Sequence, residues 1–70
     1  MKYREVAKKL RKLGCVEINA GGKGSHRKWI NPEKNIGSPV PDWGSKDLKL
    51  GTIRAAVRQL GMDWEEFKKI

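Results

Sequence analysis

The chain has a single histidine, which follows three glycines and sits among three cations: Gly21-Gly22-Lys23-Gly24-Ser25-His26-Arg27-Lys28-Trp29. Glycine accepts positive φ and leaves its backbone bare, so Gly21, Gly22 and Gly24 can turn sharply and aim amide N–H groups into one concavity that suits an anion. Lys23, Arg27 and Lys28 surround that concavity with positive charge, as a phosphate requires. Imidazole titrates at about 6.5 when unperturbed, which makes His26 the side chain here that exchanges a proton near neutral pH. Anion binding and proton transfer are therefore placed together. The plain alternative is a flexible glycine turn with solvated charges and a surface histidine. A P-loop is excluded: the lysine is followed by glycine rather than Ser/Thr, the first glycine is not at the required spacing, and residues 26–31 read as a strand rather than a helix.

Composition narrows the chemistry. Seventy residues make one small domain, here residues 1–70, whose core is marginal without disulfides, metal or a partner. Sixteen Lys+Arg against eight Asp+Glu give a formal charge of +8, and the pI of about 10.0 points to nucleic acid or an acidic protein surface. Cys15 has no second cysteine to pair with, and one cysteine with one histidine is too few for a zinc site from a single chain, so neither metal nor cofactor is expected. No apolar run approaches the length of a membrane span, and Met1-Lys2-Tyr3-Arg4-Glu5 lacks the apolar core of a signal peptide. A cytoplasmic protein with no membrane partner is expected.

Periodicity predicts the elements that hold the histidine. Between Lys2 and Leu13, Tyr3, Val6, Ala7, Leu10 and Leu13 recur at helical spacing with the cations elsewhere on the wheel, and Gly14 stops the helix. The basic face can meet RNA phosphates or simply be solvated. Cys15 to Ala20 alternates as a half-buried strand, with Val16, Ile18 and Ala20 on one face and Cys15, Glu17 and Asn19 on the other. Cys15 reads as core filler rather than nucleophile. The Gly21 to Ser25 turn leads to a strand from His26 to Asn31, where alternation sets His26, Lys28 and Ile30 against Arg27 and Trp29. If Trp29 packs inward, His26 faces out.

Asn31 to Asn35 is a second turn, and Ile36 to Pro41 reads as a third strand whose prolines place it at an edge. Pro41 to Asp47 comes next as a loop; Trp43 within it is expected to fold back onto the core, the other reading being a face offered to a base or a partner protein. From about Lys49 to Leu60, Leu50, Ile53, Ala56, Val57 and Leu60 form a second helical stripe ended by Gly61. Asp63-Trp64-Glu65-Glu66 matches a capping box with Met62 and Phe67 as its staple, so a short helix runs to Ile70. The expected fold is α+β: a three-stranded antiparallel sheet with helices on one face and the other left open, with His26 and Lys28 on that open face or at its rim.

Along this order the sequence resembles the HicA toxins, small messenger-RNA interferases of HicA/HicB toxin–antitoxin pairs. The resemblance is carried by Gly24-Ser25-His26 and a basic strand ending near Asn31-Pro32, then Val40-Pro41-Asp42, Lys46-Asp47-Leu48, Gly51-Thr52-Ile53 and Arg58-Gln59-Leu60-Gly61, and by Glu66 and Phe67 in the final helix. It implies a fold like a double-stranded-RNA-binding domain (dsRBD), α-β-β-β-α with a short extra C-terminal helix, and ribonuclease activity centred on His26. It also implies two partners, messenger RNA and a HicB-like antitoxin. Where family members often carry further histidines, this chain has Arg27, Asn31 and Trp43.

RNA is cut without metal when its 2′-hydroxyl attacks the adjacent phosphorus, which takes a base, cations for the phosphorane and a proton for the leaving oxygen. The sequence assigns His26 as base, Lys23 and Lys28 as charge stabilisers, and Ser25 with the glycine amides, Gly24 among them, as positioners; Arg27 completes the candidate RNA-binding set. The rival readings are a non-catalytic RNA-binding module, in which His26 is a mere contact, and a helix-turn-helix DNA binder built on Leu50 to Ile70. The second is opposed by Glu65 and Glu66 at the start of the helix that would meet DNA.

Overall fold

The apolar stripe of the first helix does what its spacing requires: Tyr3, Val6, Ala7 and Leu10 are all buried in α1 (Tyr3–Lys12). In the computed structural model, which describes residues 1–18 and 26–70, α1 is followed by β1 (Val16–Ile18), β2 (His26–Asn31), β3 (Ile36–Pro41), α2 (Leu50–Gln59) and α3 (Trp64–Lys69). This is the expected α+β order. The predicted residues Asn19 and Ala20 of the first strand lie outside the described residues, as does the whole turn from Gly21 to Ser25.

Glycine ends both long helices in the same way. Gly14, at φ +93°, donates its N–H to the Arg11 carbonyl (3.0 Å) while Cys15 N–H reaches back to Leu10 (2.9 Å). Gly61, at φ +74°, donates to Arg58 (2.9 Å) and Met62 N–H to Val57 (3.1 Å). Both are Schellman motifs, which need a residue at positive φ and satisfy carbonyls that the helix leaves open. The short α3 is capped by Asp63, whose carboxylate accepts from Glu65 N–H, and Met62 and Phe67 both reach the core, as the staple requires.

The sheet is an antiparallel meander in the order β1-β2-β3, so β3 and its prolines do lie at an edge. Val16, Glu17 and Ile18 pair with Ile30, Trp29 and Lys28, and β2 pairs with β3 from His26 opposite Pro41 to Asn31 opposite Ile36. Directly paired residues share a face. One face therefore carries Glu17, Arg27, Trp29, Asn31, Ser38 and Val40 towards the helices. Trp29 and Val40 are wholly buried there with Val6, Leu10, Ile53, Leu60 and Phe67. The other face carries Val16, Ile18, His26, Lys28, Ile30, Pro39 and Pro41, and no helix among the described residues covers it.

Two expectations are corrected. The apolar side of the first strand is not the covered one: Val16 and Ile18 are exposed, and Glu17 faces the helices. The register with Trp29 forces this, and Glu17 meets hydrogen-bond donors there. Leu50 does not join the core stripe of α2, because it occupies the first turn and remains 60% exposed.

Candidate functional site

His26 opens β2, is exposed, and stands on the uncovered face with Lys28 two residues along. Strand alternation places both there once Trp29 is buried on the far side, as the sequence required. A surface hollow of about 450 Å³ runs beside them, lined by His26, Arg27, Lys28, Gly37, Ser38 and Pro39. His26 and Lys28 thus share one sheet face and line one surface hollow. The remaining sequence candidates, Lys23, Gly24 and Ser25, lie outside the described residues.

Arg27 is turned the other way. Its Nη1 lies 3.5 Å from Glu17 Oε2 and its Nη2 3.5 Å from Asp42 Oδ2, so its two terminal nitrogens span from β1 to the segment after β3. Glu17 is the focus of this arrangement. Its Oε1 accepts from the Tyr3 hydroxyl (3.0 Å) and from Arg11 (3.3 Å). Trp29 Nε1–H in turn donates to the Tyr3 oxygen (3.0 Å), and the Arg11 guanidinium lies 5.2 Å from the Trp29 ring centre. The Glu17 carboxylate, the Tyr3 hydroxyl and the Trp29 N–H thus satisfy one another, which is the condition for bringing them beside the core without a large desolvation penalty. Arg27 Nε is the exception, buried with no hydrogen-bond partner among the described residues.

The network straps together α1, β1, the first residues of β2 and the end of β3. It fixes the backbone at the residue next to His26 without presenting a charge on the face that His26 occupies. Sequence reasoning missed it, although a signal existed: alternation put Arg27 on Trp29's side, and an inward arginine needs an inward carboxylate. Glu17 is the only acidic residue between Glu5 and Glu33.

Of two further residues, sequence misjudged one and read the other correctly. Trp43 does not fold back onto the core; it is 38% exposed in the loop after β3 and takes no part in the buried cluster. Cys15 is buried filler, as expected: its thiol sits 3.6 Å from the Met62 sulfur, and burial pushes its pKa up, away from thiolate chemistry.

With the exposed histidine, the basic strand and the α-β-β-β-α-α order in place, comparison with known proteins becomes decisive. Residues 3–62 match the family model described as the HicA toxin of bacterial toxin-antitoxin systems. The chain belongs to the HicA toxin family. No curated protein and no solved structure matches this HicA chain. Membership makes it the toxin component of a toxin–antitoxin pair and implies an antitoxin as its partner. No helix of this HicA chain is long and apolar enough to cross a membrane, among the described residues.

Proposed function

We propose that this HicA toxin is an endoribonuclease that cuts messenger RNA without a metal, using His26 as the general base. The observation that carries the reading is the placement of the sole histidine, exposed at the head of β2 on the face it shares with Lys28, which no helix among the described residues covers. A ribonuclease of this kind needs its base in reach of a 2′-hydroxyl, a cation near the phosphorus and a proton for the leaving oxygen.

In this mechanism His26 takes the 2′-hydroxyl proton as that oxygen attacks the adjacent phosphorus. Lys28 and Lys23 stabilise the charge that accumulates on the phosphorane oxygens. Ser25 and the amide of Gly24 orient the phosphate, and the P–O5′ bond breaks as the leaving oxygen takes a proton from water or a lysine, giving a 2′,3′-cyclic phosphate and a 5′-hydroxyl. Arg27, with its terminal nitrogens on Glu17 and Asp42, serves this site by holding β2 in register rather than by meeting the phosphate directly. The antitoxin is proposed to be HicB-like and to cover the His26 face, drawn there by the +8 charge. The cytoplasm, where messenger RNA is found, is the proposed location.

The test is a gel assay on mixed-sequence RNA in excess EDTA, comparing wild type with a folded His26→Ala variant. Cleavage by the wild type, lost in a variant that still binds RNA, is the expected result. Equal cleavage by both removes His26 from the mechanism. If neither cuts but both bind, the domain is an RNA-binding module.

A further inference from the structure

Trp43 keeps more than a third of its surface in water, outside the buried cluster, so part of its large ring face is open to a ligand. Trp43 is 38% exposed, while Trp29 is fully buried and Trp64 stacks on Phe67 with ring centres 5.4 Å apart. Two contacts bring the start of the Trp43 loop next to the candidate catalytic residue. Pro41, two residues before Trp43, pairs directly with His26 across the β2–β3 ladder. Asp42, the residue between them, is ion-paired at 3.5 Å with Arg27, the neighbour of His26.

The loop that carries the ring is itself constrained. Gly44 N–H donates to Asp42 Oδ1 (2.9 Å), Gly44 takes φ +62°, and Lys46 N–H donates to the Trp43 carbonyl (3.2 Å). Asp42, Trp43 and Lys46 line a surface hollow of about 540 Å³. An aromatic face and an ammonium at one open hollow form the pair of groups that single-stranded nucleic acid meets on its binding proteins, where bases stack on rings and cations follow the backbone.

We propose that Trp43 is a stacking platform for a nucleobase of single-stranded RNA, with Lys46 against the adjoining phosphate. The proposal rests on the ribonuclease reading of His26. A base immobilised on Trp43 holds the neighbouring sugar and phosphate in place at His26, which is the positioning that converts a diffusing substrate into an intramolecular reaction. A duplex keeps its bases stacked on one another, so the platform selects unpaired RNA. Because every base has a π face, it contributes affinity and register with little sequence preference.

The experiment uses a single-stranded 2′-O-methyl oligonucleotide, which lacks the attacking hydroxyl and so is bound without being cut. Binding is measured for wild type, Trp43→Ala and Trp43→Phe, each checked for folding by circular dichroism. Trp43→Ala is expected to bind roughly tenfold more weakly and Trp43→Phe nearly as tightly as wild type. One abasic nucleotide, walked along the oligonucleotide, is expected to weaken wild-type binding at one position and to cost Trp43→Ala nothing further there.

Unchanged affinity in Trp43→Ala, or an abasic walk with no preferred position, overturns the platform. Unchanged RNA affinity together with weaker binding of the antitoxin assigns the ring to the protein partner and overturns it as well. Should Trp43→Ala not fold, the Phe variant and the abasic walk decide. A wild type that cuts while His26→Ala does not leaves the ribonuclease reading standing whatever Trp43 does; a wild type that neither binds nor cuts RNA sinks both.

Discussion

The Tyr3 hydroxyl donates to Glu17 and accepts from Trp29, so it joins the inward carboxylate of β1 to the largest ring in the core. Burial pushes its pKa up to about 12; the hydrogen bond and charge of Glu17 act in the same direction, while the Trp29 N–H and the Arg27 charge oppose it. A raised pKa means the folded protein holds this proton more tightly than the unfolded chain does. Its contribution to stability is therefore complete below about pH 10 and is lost as pH rises from there through about 12. Tyr3 is the only tyrosine, so near-ultraviolet absorbance titrates it alone and is expected to place the midpoint near 12. Thermal melts are expected to show a steeper alkaline loss for wild type than for Tyr3→Phe, since lysine titration is common to both. A midpoint near 10 would mean that the phenol is not held in this network. None of this was legible in the sequence. Helical spacing announced that Tyr3 is buried, but a hydroxyl's partners come from residues fourteen and twenty-six positions away, whose approach only the strand register decides.

Elements were more legible than their orientation. The helix ends could be read because glycine at positive φ is a local requirement, and Gly14 and Gly61 meet it with Schellman bonds. Which face of β1 is covered could not be read, because alternation does not reveal that Tyr3, Arg11 and Arg27 supply Glu17 with donors on the helix side. The open side of Trp43 was equally hidden, since burial of a loop ring depends on what the loop folds over. At Gly61 the turn also docks the β2–β3 hairpin: Asn31 Nδ2–H donates to the Leu60 carbonyl (2.7 Å) and the Lys34 ammonium to the Gly61 carbonyl. A Cβ at Gly61 would stand 2.8 Å from carbons of both Lys34 and Ile36, whereas one at Gly14 would meet nothing within 4 Å. Both Gly→Ala variants incur the positive-φ cost of about 1–3 kcal/mol, and Gly61→Ala is expected to be the less stable in urea titrations. Equal loss at the two sites would show that the hairpin yields freely.

Over the whole molecule, the charge of +8 acts at a distance where individual contacts do not. RNA affinity is expected to fall steeply with salt, because each neutralised phosphate releases counterions. Lys28→Ala is expected to flatten the plot of log affinity against log salt by about 0.7, the share of one single-strand phosphate contact. An unchanged slope would remove Lys28 from the interface. Trp43→Ala, which removes a ring and no charge, is expected to leave the slope alone.

The meander order of the sheet has a consequence in time. Each strand pairs only with its neighbour along the chain, so assembly needs two short-range closures and no long crossover. Small domains with such local pairing fold in about a second or far less, while a ribosome adding 5–20 residues per second takes roughly 4–14 s to make seventy. The toxin is thus expected to fold about as fast as it is made, a rate that stopped-flow refolding followed by tryptophan fluorescence checks. The interval in which it is unrestrained is set by how quickly it meets its antitoxin, and antitoxin already present at the moment of synthesis is what closes that interval.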